Sequence, residues 1–178
     1  MYKRQRRNRD KGLIDLARSF GRVCDKYDNI HLLIVGPDEQ GMKEQMESLC
    51  SSCIQKMHFV GYTDVPEKYF AASDIFCLPS YREGFGVVVI QAASAGIPSI
   101  GTRIYGVIDT IEDGITGLLY HPGDVDGLAS KMIEMIKRPD LRKMMGTNAR
   151  IRASEKFSKG IATKALVDYY KSLLLAGN

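Results

Sequence analysis

The chain has 178 residues, of which 44% are hydrophobic and 26% charged, the balance of one soluble globular domain rather than two. That composition excludes disordered, collagen-like and disulfide-scaffold classes, no apolar run reaches the roughly 18 residues of a membrane helix, and no signal peptide opens the chain. The formal charge of +4 is uneven: Lys3, Arg4, Arg6, Arg7, Arg9 and Lys11, against Asp10 alone, put +5 in the first eleven residues and leave −1 elsewhere. The body therefore has no broad basic face for nucleic acid.

Residues 1–10 read as a basic head: a truncation remnant or linker, or else an arm for an anionic membrane surface or nucleic acid. From Lys11 to about Tyr27, Leu13, Ile14, Leu16, Ala17, Phe20 and Val23 recur with a helical period. Residues 30–35 form a continuous β-rich run that ends at Gly36 and Pro37, as expected of a parallel strand buried on both faces. A helix over about 39–53, a strand over 57–60 and a short helix over 64–72 follow. The short helix has Pro66 in its first turn and Thr63 or Asp64 as its N-cap. A buried strand over 74–78 is stopped by Pro79. Next come a helix over 86–95, a strand over 97–101, segments over 106–112 and 116–120 around a turn at Asp113 and Gly114, and helices near 124–137, 139–156 and 158–175. Alternating strands and helices predict an α/β domain, a Rossmann-like doubly wound parallel sheet with helices on both faces. Such a domain normally opens on a strand. Here a charged head stands in that place, and a preceding strand is expected upstream.

Several residue groups invite other chemistry and fail on context. Cys50 and Cys53 have CxxC spacing, but no second pair accompanies them and they close an amphipathic segment, so they read as small core hydrophobes. Asp124-Val125-Asp126 matches a metal-binding DxD, yet it opens a helix, where Asp124 suits an N-cap. His31, His58 and His121 read as isolated structural residues. Met132, Met135, Met144 and Met145 have helical spacing and read as core. No Gly-x-Gly-x-x-Gly follows the first strand, which argues against a nicotinamide dinucleotide site.

In open α/β sheets ligands bind beyond the carboxyl ends of the strands. The segment Pro79-Ser80-Tyr81-Arg82-Glu83-Gly84-Phe85-Gly86 joins a buried strand to a helix. Its glycines let a ligand approach the backbone, and the helix start offers unpaired N–H groups to a phosphate. A carboxylate there, Glu83, needs a polar task such as gripping a sugar hydroxyl; its bland alternative is a capping role.

With Pro79 to Ala92, Ala95-Gly96-Ile97-Pro98, Asp113 to Leu119 and His121-Pro122-Gly123-Asp124, the sequence resembles the retaining GT-B glycosyltransferases of the glycogen-synthase and sucrose-synthase-like group. The resemblance spans about residues 6–157 and implies the donor-binding, C-terminal half of a two-domain enzyme. It assigns Glu83, Lys11 and Arg6 as the catalytic set: Glu83 contacts the donor sugar, and the two cations pair with the diphosphate. It assigns Gly36, Pro37, Tyr62, Ser80, Gly84, Phe85, Gly86 and Gln91 to donor binding, with Gln91 standing where the family usually has a second glutamate for the ribose hydroxyls. It further implies transfer of a sugar with retention, no cofactor and no metal ion, a glycan or lipid-linked acceptor, and an acceptor-binding N-terminal domain that this chain lacks. The fragment alone is then expected to be inactive. Residues 11–157 would be the nucleotide-sugar-binding domain and 158–178 a C-terminal helix, and the last helices, about 139–175, are expected to expose an apolar face where the chain crosses back to the missing domain. A cytoplasmic protein, peripheral at the membrane's inner face when whole, is expected. The alternatives are a non-catalytic nucleotide-sugar-binding module, which Gln91 favours, and a nucleotide-sugar epimerase on the same fold.

Overall fold

The computed structural model describes residues 9–38 and 40–176. A 3-10 turn over Arg9–Lys11 leads into α1 (Leu13–Cys24), followed by β1 (Leu32–Val35), α2 (Met42–Leu49), a 3-10 helix over Ser51–Lys56 and β2 (Met57–Val60). Then come α3 (Pro66–Ala71), β3 (Phe76–Leu78), α4 (Val87–Ser94), β4 (Ser99–Thr102) and β5 (Gly117–Tyr120). Three consecutive helices end the chain: α5 (Val125–Lys137), α6 (Pro139–Phe157) and α7 (Lys159–Ala176).

All paired strands are parallel. β1 lies beside β2, with Leu32 opposite Met57 and Val35 opposite Val60, while β4 sits between β3 and β5. A parallel neighbour requires a crossover, and α2 and α4 supply two of them. The fold class is the one the alternation predicts. Its sheet differs in one respect: the described strands form a two-stranded and a three-stranded sheet, because β1 and β3 share no ladder hydrogen bonds. No described segment precedes α1 as the expected opening strand. The two parts are joined through side chains, since Leu32 of the first and Ile75 and Cys77 of the second pack on the same core cluster as Leu16 and Val23 of α1.

Helix α1 shows why that layer holds. Its 3.6-residue period buries Leu16, Ala17, Phe20 and Val23 at 5% exposure or less. It packs between α2 and α5, and Ser19 Oγ donates to the Val125 carbonyl at 2.9 Å. Against the three-stranded sheet, Val89 of α4 joins Leu78, Val107, Ile111 and Leu119. Alanines 93, 149 and 153 let α4 and α6 approach closely.

Several local expectations are corrected. The N-cap of α3 is Val65, and no side chain caps the helix; Thr63 Oγ1 instead accepts from the Val65 amide one step earlier. Cys50 and Cys53 are buried as expected, but their sulfurs are bonded to each other as a disulfide. His31 and His58 are not isolated: β1–β2 pairing brings Nδ1 of one to 3.0 Å from Nε2 of the other. Met132, Met135 and Met145 are core, whereas Met144 is exposed. Asp124 caps α5 as read, accepting from the Gly127 amide at 2.8 Å, and Asp126 forms an ion pair with Arg22. Helix α7 stands apart: its side chains from Ile161 to Leu174 that are described are exposed, including Leu166, Val167, Tyr169, Tyr170 and Leu173. Among the described residues no helix is long and apolar enough to cross a membrane.

Candidate functional site

The carboxyl ends of β1, β2 and β3 carry the predicted loops. At the end of β1 the Gly36 amide donates to the Val60 carbonyl, which closes Gly36 and Pro37 against the end of β2. Tyr62, just past β2, is half exposed and its hydroxyl donates to Asp64. Beyond β3 the chain runs through Pro79 to Gly86 and enters α4, whose N-cap is Gly86.

This last loop is fixed on both sides. On one side Tyr81 N–H donates to the Asp10 carbonyl at 2.8 Å. Gly12, at φ 65°, lies so close to Pro79 that a Cβ would overlap the Pro79 carbonyl oxygen. On the other side Gly86 N–H donates to the Gly106 carbonyl at 2.8 Å. Gly106 has φ 82°, and a Cβ on it would come within 2.5 Å of the Glu83 carbonyl oxygen. Beneath the loop, Thr102 Oγ1 donates to the Ser80 carbonyl at 2.6 Å. Ser80 itself is fully buried and its hydroxyl has no partner among the described residues.

The consequence is a charged contact between distant parts of the chain. Lys11 Nζ donates to Glu83 Oε2 at 2.8 Å, with the carboxylate side chain 9% exposed and the lysine 20%. A buried carboxylate requires such a partner. Two of the three predicted catalytic residues therefore meet; Arg6 lies outside the described residues. An ammonium has three protons to donate, so Lys11 can hold Glu83 and still face a second anion.

The other predicted residues surround this pair unevenly. Gly84 and Phe85 are exposed on the loop, and Phe85 stacks edge-on against Phe157 at the end of α6, 5.9 Å between centroids. The Gly86 amide is already engaged with Gly106, while Phe85 N–H has no backbone partner among the described residues. Gln91 lies on α4, half-buried. Sequence reasoning passed over Tyr81 and Asp15: the Tyr81 hydroxyl donates to Asp15 Oδ2 at 2.5 Å, and that bond raises the phenol's pKa above its ordinary value because ionisation would break it beside a carboxylate. A tyrosine inside the loop motif was the available signal. Among the described residues no three His, Cys, Asp or Glu side chains gather as a metal site would need.

Comparison with known proteins identifies relatives of the whole chain. The chain is 31% identical over 167 residues to the capsular polysaccharide biosynthesis glycosyltransferase CapM of Staphylococcus aureus, covering 93% of this chain and 44% of that protein. Its fold is similar to that of sucrose-phosphate synthase from Thermosynechococcus elongatus, with TM-score 0.84 and 28% identity over 95% of this chain and 44% of that one. It is also similar to S. aureus TarM solved in complex with fondaparinux, alpha-GlcNAc-glycerol and UDP, with TM-score 0.82 and 25% identity, covering 90% and 33%. The chain thus spans less than half the length of these proteins. The family model described as glycosyl transferases group 1 matches residues 2–152, and the chain belongs to that family.

Proposed function

We propose that this chain binds the nucleotide-sugar donor of a retaining glycosyl transfer and supplies one wall of a cleft whose other wall is an acceptor-binding domain on the remainder of a longer protein. The observation that carries the reading is the Lys11–Glu83 contact at the strand ends, beside the glycine-flanked start of α4. Residues 11–157 are the donor domain, and the exposed apolar side of α7 in 158–178 faces the second domain. The UDP in the TarM complex supports a nucleoside diphosphate as the recognised group.

In this reading the bond from the anomeric carbon to the diphosphate breaks, and its electron pair leaves with the diphosphate. The acceptor oxygen bonds the same carbon from the same face, and its proton passes to the departing phosphate oxygen. Charge develops on the leaving group. Lys11, Arg6, the Phe85 N–H and the positive end of α4 meet it, with no metal ion called for. Glu83 holds a donor-sugar hydroxyl, Gln91 the ribose hydroxyls, and Gly36, Pro37 and Tyr62 border the base. Ser80 and Gly84 shape the loop. The acceptor is a glycan or lipid-linked glycan. Gln91, neutral where a charged acceptor would bind ribose more strongly, favours a second reading as a nucleotide-sugar-binding module without catalysis.

Glu83→Gln in the full-length protein separates the two. Transfer to acceptor should fall by about 100-fold or more, the scale on which positioned polar groups act on a developing charge. Undiminished transfer removes the catalytic assignment of Glu83, and absence of any transfer by the parent protein supports the second reading.

A further inference from the structure

Lys11 and Glu83 lie 72 residues apart in sequence, and both end in flexible stems, so neither holds its partner's position unaided. The hydrogen bond from Tyr81 to Asp15 joins the same two segments of chain: Tyr81 is two residues before Glu83, and Asp15 four residues after Lys11. Together with the Tyr81 amide on Asp10 and the contact of Gly12 with Pro79, it closes a ring made of residues 10–15 and 79–83. Asp15 is 8% exposed and stands in the first turn of α1. Gly123, at φ 79°, passes over the Tyr81 hydroxyl; a Cβ there would lie 3.3 Å from it. An apolar pair at 15 and 81 would satisfy packing without burying a charge. A hydrogen bond to a carboxylate adds what packing does not, a preferred direction.

We propose that Tyr81 and Asp15 are positioning residues: their bond sets the Lys11 ammonium against Glu83 so that its remaining protons face the donor's diphosphate. The proposal rests on the donor-site reading above. It makes the ammonium of Lys11, rather than the general stability of the domain, the thing that Tyr81 controls.

The test is a double-mutant cycle on nucleotide affinity, read by calorimetry with UDP, GDP or ADP, whichever the parent chain binds. Tyr81→Phe keeps the ring and removes the hydroxyl, and it should weaken binding by about 10-fold, the effect of losing one hydrogen bond to a charged group. In a Lys11→Ala background the same substitution should change affinity by less than about 2-fold, because its effect acts through the missing ammonium. Asp15→Asn, which retains an acceptor oxygen, should recover most of the affinity that Asp15→Ala loses. Amide exchange across residues 79–86 should quicken in Tyr81→Phe with the rest of the domain unchanged. Parental affinity in Tyr81→Phe, or an equal loss in both backgrounds, overturns the positioning role and leaves the donor site standing. A parent chain that binds none of the three nucleotides removes the donor site and this proposal with it.

Discussion

Gly12 shows how little freedom the site allows at single positions. Its φ of 65° suits glycine, and its α-carbon faces the Pro79 carbonyl at a distance that leaves no room for a methyl group. Gly96 has a similar φ, 78°, but open space where a Cβ would go. The two separate backbone strain from collision. Gly96→Ala should cost about 1 kcal/mol, the left-handed penalty alone, whereas Gly12→Ala should cost about 2–4 kcal/mol because strain and overlap with the loop add. Chemical denaturation of both variants measures the difference, and equal costs would show that the Gly12–Pro79 contact does not hold the loop. The motif residues were legible one by one, since Glu83 and Lys11 each stand out against a known pattern. Their contact was not. Nothing local signals that a lysine before the first helix meets a glutamate 72 residues later, or that a phenol at 81 meets a carboxylate at 15.

Among the elements, the strands were read within about two residues because continuous apolar runs ending in glycine or proline have few other meanings. Helix α5 was legible for a different reason: Asp124 announces its start through a cap that the structure reproduces. The start of α3 was not, since Thr63 and Asp64 both look like caps while the helix begins after Val65 with no side-chain cap. Nor was the division of the sheet, which depends on which strand edges share hydrogen bonds rather than on any strand's own composition. An exposed apolar face was expected somewhere on the last helices, about 139–175, and on α7 Leu166, Tyr170 and Leu173 are exposed at 54%, 59% and 50%. Exposed apolar surface of this kind drives association. The 178-residue chain alone should therefore self-associate with rising concentration in sedimentation experiments. Replacing Leu166, Tyr170 and Leu173 together by lysine should leave a folded monomer. A parent chain that stays monomeric throughout would show that the exposed residues of α7 do not drive self-association.

At the scale of the whole molecule, the family and the parallel architecture are shared with group 1 glycosyltransferases, and the contact of Lys11 with Glu83 is what the proposed donor site rests on. The chain covers 44% of CapM's length, and the proposed reading assigns donor recognition, not the complete transfer, to these residues. Nucleotide binding is therefore the most direct test. Titration of the 178-residue chain with UDP, GDP and ADP should detect binding of at least one of them below millimolar concentration, and Lys11→Ala should weaken it by about 10-fold, as expected when a cation facing a phosphate is removed. No heat of binding with any of the three, from a chain shown to be folded, would contradict the donor-site account.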